Sequence, residues 1–165
     1  DGWAGALTLP RELRVRGGQL YQTPIVEAVQ LRQEAILSGS MELEKDYNLG
    51  RTVELKLTLE HPDTGVLLLL SDGTQFLQIS LDTDQHRIIV SRSTKDGERA
   101  ATLKAAGNLR LQVFLDKSSA EIFVNDGELT FTERVYWQGD VQARLLSDVT
   151  NHVVAWRLDG STNTY

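Results

Sequence analysis

Two carboxylates, Asp116 and Glu121, lie on either side of a short turn, residues 117–119, within the stretch 109–136. Paired carboxylates are the usual machinery for cleaving glycosidic bonds, and in retaining enzymes they stand ~5–5.5 Å apart. The pattern of this stretch, however, is typical of strand, turn and strand, which would place both side chains on a flat sheet without a pocket. We therefore interpret them as surface or interface carboxylates and not as an acid–base pair.

Other residue types that carry chemistry are sparse. The histidines, His61, His86 and His152, are far apart in the sequence and form no closely spaced pair, so a zinc-type site is not predicted. Asp82 and Asp84 could contribute to a calcium site, but turn chemistry explains them without one. The chain has no cysteine, no phosphate-binding loop, no dinucleotide fingerprint and no nucleophile elbow. We expect no metal site and no cofactor.

Aromatic side chains could instead stack on sugar rings. Trp156 alternates with apolar residues, which predicts a position in the core. Tyr136 and Trp137 end a strand, where a core plug or an interface anchor is more common than a lectin site. The remaining candidates are Tyr21, Tyr47 and Tyr165.

The composition argues against two classes of partner. The 165 residues carry a net charge of −6 and contain no run of Lys or Arg, so a nucleic-acid partner is not expected. No apolar stretch approaches the ~20 residues that a membrane-spanning helix needs. The chain begins at Asp1, so we expect it to start inside a longer polypeptide, and its localisation is unknown. The lack of cysteine is the one hint of a cytoplasmic location.

From residue 38 onward, apolar residues recur with a period of two, which is typical of half-buried strands. Val53–Leu59 shows this alternation most clearly, and turn signals such as Asp72-Gly73 separate the segments. Similar alternation occurs at residues 77–81, 109–115, 141–145 and 152–158. Many short strands with regular turns predict an all-β fold, a β-sandwich of two antiparallel sheets of the jelly-roll or lectin-like kind.

The first 37 residues have a different pattern. We predict strands at residues 5–9 and 12–16, with a Gly17-Gly18 turn after them. Residues 23–36 predict one short linking helix, in which Thr23 is the cap and Pro24 occupies the first helical position. One side of this helix would carry Ile25, Val29, Arg32 and Ile36.

The hairpin inside residues 109–136 has a predictable register. If Asp126-Gly127 is a two-residue loop, Val124 faces Leu129 and Glu121 faces Thr132. The inner face is then mostly apolar, and Arg134 lies diagonal to Glu121 as a plausible partner. A slip of one residue would turn every side chain to the wrong face, which favours this register.

Two stretches resemble family 32 glycoside hydrolases, the invertases and sucrose-6-phosphate hydrolases. Residues 1–13, DGWAGALTLPREL, resemble the segment that ends the catalytic β-propeller of that family. Residues 116–128, DKSSAEIFVNDGE, are similar to its C-terminal β-sandwich module. The resemblance implies four parts: residues 1–22, a remnant of the propeller's final strands; 23–37, a linker helix; 38–159, the sandwich; and 160–165, a tail.

The resemblance also implies what this chain lacks. Family members are retaining β-fructosidases that use Asn-Asp-Pro-Asn-Gly, Arg-Asp-Pro and Glu-Cys motifs, and none of these occurs here. We therefore expect no catalytic residue, no cofactor and no hydrolysis of sucrose by this chain alone. The parent protein would hydrolyse sucrose or sucrose 6-phosphate.

The role implied by the resemblance is to pack against the catalytic propeller, to stabilise it and to shape substrate access or dimerisation. On the outer face of the hairpin we expect exposed aromatic and charged side chains to form the interdomain surface. Its candidate residues are Phe114, Asp116, Ser119, Glu121 and Arg134. A module that binds sucrose or fructan is the main alternative, and a homodimerisation module is another.

Overall fold

A computed structural model of the chain describes residues 7–93, 97–104 and 107–158. These residues form fourteen β-strands and one 3-10 helix, Val26–Leu31, which lies between β2 and β3. The strands are β1 (Arg11–Arg16), β2 (Gln19–Pro24), β3 (Arg32–Gly39), β4 (Asp46–Gly50), β5 (Val53–Leu59), β6 (Gly65–Ser71), β7 (Phe76–Asp82), β8 (Arg87–Arg92), β9 (Glu98–Thr102), β10 (Leu109–Asp116), β11 (Ser119–Val124), β12 (Leu129–Arg134), β13 (Val141–Leu145) and β14 (Asn151–Leu158). Within this part of the chain no helix is long and apolar enough to cross a membrane.

Two six-stranded antiparallel sheets enclose one apolar core. The first sheet has the order β12-β11-β10-β5-β14-β3, and the second has the order β4-β13-β6-β7-β8-β9. Alternate residues of both sheets point inward, and the core includes Leu55, Ile79, Val90, Val113 and Ile122, all fully buried. β1 and β2 form a separate hairpin. The predicted all-β sandwich of two antiparallel sheets is confirmed.

The predicted register of the β11–β12 hairpin is confirmed. Val124 pairs with Leu129, and Glu121 pairs with Thr132. Asp126 and Gly127 have φ angles of 57° and 87°, the left-handed values that a two-residue type I′ loop needs. The Glu128 N–H donates to the carbonyl of Asn125 at 3.4 Å and closes this loop, and the Gly127 N–H donates to the carbonyl of Val124 at 3.1 Å.

A short N-terminal helix is present, but its length and type differ from the prediction. Thr23 and Pro24 belong to β2, the 3-10 helix begins at Val26 without a side-chain cap, and Arg32–Gly39 is a strand. β3 pairs with β14 at the edge of the first sheet, so hydrogen bonding to a distant strand outweighs the local helical pattern. Of the strand predicted at 5–9, residues 5 and 6 lie outside the described part, and 7–9 form no regular element.

The predicted core position of Trp156 is wrong, whereas Trp137 does lie in the core. Trp156 is not in the core: Val153 and Ala155 are the fully buried residues of β14, and Trp156 is half-buried on the outer face. Both faces of β14 carry apolar residues, so alternation alone could not select the inner one. Trp137 is a core plug, only 2% exposed, while neighbouring Tyr136 is half exposed.

A buried ion cluster joins the two sheets at one edge. Glu133 of β12 is 1% exposed and points toward the second sheet. Its carboxylate lies 2.9 Å from the Nε atoms of both Arg92 in β8 and Arg99 in β9. Burial raises the pKa of Glu133, and the two arginines oppose that shift. The cluster therefore fixes the position of the two sheet edges. Its net contribution to the free energy of unfolding is smaller than two ion pairs would suggest, because burying the charges is costly.

Candidate functional site

A row of side chains crosses the outer face of the first sheet, one from each of five neighbouring strands. From β12 to β14 the row contains Thr132, Glu121, Phe114, Glu54 and Trp156. Glu54 is fully buried and Glu121 is 5% exposed. Buried carboxylates are costly unless they are paired and hydrogen-bonded, so this row needs cationic partners from another part of the chain.

The chain around the start of β1 supplies the partners of Glu121. One carboxylate oxygen, Oε1, accepts the backbone N–H of Leu9 at 2.6 Å, and the other, Oε2, accepts Nη2 of Arg11 at 2.8 Å. The same nitrogen of Arg11 donates to the Thr132 hydroxyl at 2.7 Å. The guanidinium also lies 5.3 Å from the ring centroid of Phe123. Arg11 thus fastens the start of β1 onto the sheet.

The start of β3 supplies the partner of Glu54. Arg32 binds the carboxylate in a bidentate fashion, with Nε and Nη2 at 2.6 and 2.7 Å from its two oxygens. Gln112 donates a further hydrogen bond at 2.8 Å. The Arg32 guanidinium stacks 4.0 Å from the ring centroid of Trp156. The outer position of Trp156 therefore has a specific contact that a core position would not offer.

Neither Glu54 nor Glu121 is available for acid–base chemistry. The oxygens of Glu54 and Glu121 are occupied by arginine, glutamine or backbone donors, and Phe114 lies between the two in the sheet register. Asp116 is exposed and accepts the N–H of Lys117 at 2.7 Å, which is turn chemistry. Within the described ranges no group of three or more His, Cys, Asp or Glu side chains could hold a metal ion.

Two expectations about this face are wrong. Phe114 is not exposed: it is 5% accessible and packs edge to face against the buried Phe123, with ring centroids 6.1 Å apart. Arg134 does not pair with Glu121 but lies over the ring of Tyr136, 5.9 Å from its centroid. The cause of both differences is the same, because the N-terminal segment lies over the face and brings Arg11 to the carboxylate.

A groove of about 510 Å³ runs between the N-terminal segment and the sheet. Of the residues predicted from the sequence, it brings together Phe114, Asp116, Ser119 and Glu121. The opposite wall is formed by residues 7–10. Arg134 lies outside the groove.

The β1–β2 hairpin also rests on the tip of the β11–β12 hairpin. The N–H of Gln22 donates to the carbonyl of Gly127 at 3.0 Å. The backbones approach so closely that a Cβ added at Gly127 would lie 2.2 Å from the carbonyl oxygen of Gln22. Further along, Ile25 donates its N–H to the carbonyl of Pro10 at 3.2 Å. Residues 7–31 are thus held on the first sheet by ion pairs and backbone hydrogen bonds.

Residues 7–31 carry most of the exposed large hydrophobic side chains. Of the ten exposed large hydrophobic side chains in the described part, seven lie in this segment. They are Leu7, Leu13, Val15, Leu20, Val26, Val29 and Leu31. We treat this concentration of exposed apolar side chains as a candidate interaction surface. We call residues 7–31 the N-terminal strap.

The residues that hold the strap were missed in the sequence. Glu54 alternates with leucines and looks like an ordinary solvent-facing residue of a strand, and Arg32 was placed on a helix. Arg11 stands inside the motif DGWAGALTLPREL, but nothing local connects it to Glu121 across the sheet. A glutamate flanked by core leucines in a central strand was the available signal for Glu54.

Comparisons with known proteins bear on this architecture. A family model described as "Glycosyl hydrolases family 32 C terminal" matches residues 17–157. The chain belongs to that family. The raffinose invertase of Escherichia coli is 36% identical over 171 residues, which cover 98% of this chain and 35% of that protein. The sucrose-6-phosphate hydrolase of the same organism is 34% identical, over 94% of this chain and 34% of the relative.

Solved structures agree with the sequence relatives. The Bombyx mori GH32 beta-fructofuranosidase has a TM-score of 0.80 at 28% identity and is matched over 95% of this chain and 34% of its own. The sucrose-6-phosphate hydrolase from Lactobacillus gasseri has a TM-score of 0.78 at 26% identity, over 90% of this chain and 33% of its own. The chain therefore spans about a third of its relatives. The resemblance to family 32 is confirmed.

Proposed function

We propose that this chain is the non-catalytic C-terminal sandwich domain of a β-fructofuranosidase that acts on sucrose or sucrose 6-phosphate. Its task is to pack against the catalytic propeller through the N-terminal strap and to stabilise it. The observation that carries this proposal is the concentration of exposed apolar side chains on the strap, which carries seven of the ten in the described part of the chain.

The strap is built to present that surface rigidly. Arg11 near its start and Arg32, the residue directly after its end, bind the buried carboxylates Glu121 and Glu54. Burying two charges per anchor is expensive, and we infer that these pairs are retained for the defined geometry that they give the strap. A fixed strap would hold a preceding domain at one angle to the sandwich, which is what a supporting domain requires.

The chemistry of the face agrees with a supporting role. Both buried glutamates of the row are fully engaged, and the sequence contains none of the catalytic motifs that the family resemblance implies. A binding platform of stacked aromatic rings finds little support. In the described part, the one close aromatic pair is Phe114 with Phe123, which is buried. Homodimerisation stays a prediction that light scattering can test.

A chimera tests the proposed function. The matched third of the E. coli sucrose-6-phosphate hydrolase is replaced by this chain, and hydrolysis and thermal unfolding are compared with those of the enzyme truncated before that third. We expect the chimera to regain activity and cooperative unfolding that the truncated enzyme has lost. A chimera that behaves like the truncated enzyme would contradict the proposal.

Surface variants locate the contact. Leu13→Ser with Val15→Ser changes side chains that are 62% and 72% exposed in the chain, so the isolated chain should unfold as before. In the chimera the same pair should lower the melting temperature and the activity. The matched control is Leu43→Ser with Phe76→Ser, which are exposed outside the strap.

A further inference from the structure

A small cavity opens at the end of the sandwich where four connections meet. It has a volume of about 160 Å³ and lies between the β5–β6, β7–β8, β9–β10 and β11–β12 connections. A shallower cleft of about 580 Å³ continues from it toward the β1–β2 hairpin and shares four of its lining residues. Neither space belongs to the groove beneath the strap.

Two histidines line the mouth of this cavity in unusual backbone conformations. His61 and His86 come from different connections, and their φ angles are 48° and 51°. A residue with a side chain takes this left-handed conformation at a cost that glycine does not pay. Non-glycine residues held in such conformations cluster at functional sites.

The fold makes no evident use of these two imidazoles. Both residues are exposed, and in the part of the chain that the structure describes neither side chain forms a hydrogen bond or an ion pair. The backbone of His86 does contribute, since its carbonyl accepts the N–H of Leu103 at 2.7 Å. Glycine would meet the backbone requirement at both positions more easily, so the side chains themselves need another explanation.

The remaining lining suits a hydroxylated ring. The floor is apolar, with Pro62, Leu81, Leu103 and Leu109. The rim adds hydroxyl and amide groups from Thr83 and Asn108, and the adjoining cleft adds the ring of Tyr21. An apolar floor under a few convergent polar groups is the usual composition of a small-molecule site. The cavity is small enough for a single ring, and the cleft leaves space for a second.

We propose that this cavity binds one ring of a short neutral saccharide, with His61 and His86 as hydrogen-bonding partners at its mouth. The apolar floor faces the C–H side of the ring, and the histidines and Asn108 meet its hydroxyl groups. No strap residue lines the cavity itself, while the adjoining cleft includes Arg16 and Tyr21 of the strap. It requires no catalytic step.

The test is a titration of the full chain with sucrose, followed by ¹H–¹⁵N NMR, with the acyclic polyol sorbitol as the control ligand. We expect saturable shifts at the cavity, with a dissociation constant of about 1–10 mM. The variant His61→Gly with His86→Gly should weaken binding about tenfold, because two hydrogen bonds are lost. Its melting temperature should stay equal or rise, because glycine relieves the backbone cost.

The third histidine provides a matched control. His152 is exposed on β14 and does not line the cavity, so His152→Ala should bind sucrose as the unaltered chain does. The proposal is overturned if sucrose gives no saturable shifts at a concentration of about ten times the expected dissociation constant. It is equally overturned if sorbitol binds as well as sucrose, or if the double glycine variant keeps full affinity.

Discussion

Gly127 lies where the β1–β2 hairpin rests on the sandwich, and replacing it with alanine tests that contact. The added Cβ would lie 2.2 Å from the carbonyl oxygen of Gln22 and 3.0 Å from its nitrogen. Gly73 offers a matched control, because its φ of 86° almost equals the 87° of Gly127, while a Cβ there would meet nothing within 4 Å. Both substitutions impose the same backbone strain, and Gly127→Ala alone displaces the hairpin.

The difference between the two variants can be estimated. Alanine in the left-handed region costs about 1–2 kcal/mol at either position. At Gly127 the steric overlap adds about 1–3 kcal/mol, and the hydrogen bond between Gln22 and Gly127 is worth about 1 kcal/mol. We therefore expect Gly127→Ala to lose about 2–4 kcal/mol more than Gly73→Ala. For a chain of this size that corresponds to a melting temperature about 4–16 °C lower.

Urea unfolding of the two variants gives both free energies, and the exchange rate of the Gln22 amide reports on the hairpin directly. Gly127→Ala should accelerate this exchange, whereas Gly73→Ala should leave it unchanged. Equal free energies for the two variants would show that the close approach of Gly127 and Gln22 does not hold the hairpin, and the reasoning about the strap would be wrong at that point.

Two further predictions concern charged groups. Arg32→Ala leaves Glu54 buried without its cation and should lower the unfolding free energy by about 3 kcal/mol in urea titrations, whereas a loss near zero would contradict the anchoring role. Asp72 accepts hydrogen bonds from the backbone N–H groups of Thr74, Gln75 and Gln138. Burial raises the pKa of Asp72, but these hydrogen bonds outweigh burial and hold the pKa well below its usual range. The stability that it contributes is present at neutral pH and is lost as the pH falls below about 3.9, so the stability difference between the unaltered chain and Asp72→Asn should be about 1–2 kcal/mol at pH 7 and should shrink toward pH 2. A difference independent of pH would refute this.

The β11–β12 hairpin shows what local pattern can predict. The Asp126-Gly127 loop and the alternation of apolar residues together allow one register, and each pair in that register is observed. The sandwich follows for the same reason, since inward-facing residues repeat along nearly every strand. These features depend on neighbours in sequence, and they are the part of the fold that could be predicted.

The strap depends on residues that are distant in sequence, and here prediction failed. Residues 32–36 carry a helical pattern, but they pair with β14, whose position no local signal reveals. The alternation of Val53–Leu59 places Glu54 opposite the core face, yet its burial follows from Arg32 reaching across the sheet. A glutamate in an alternating strand has the same pattern whether water or an arginine faces it. The local pattern therefore predicts the candidate face. It does not predict the N-terminal strap that lies over this face, or the ion pairs that hold the strap.

Hydrogen exchange offers the most direct test of the central claim that the N-terminal strap is the docking surface. The isolated chain and the chimera with the E. coli enzyme are compared by mass spectrometry over residues 11–31 and over β8, Arg87–Arg92, in the second sheet. The account predicts slower exchange of residues 11–31 in the chimera and unchanged exchange in β8. Unchanged exchange of the strap in an active chimera would contradict it, because the supporting contact would then lie elsewhere.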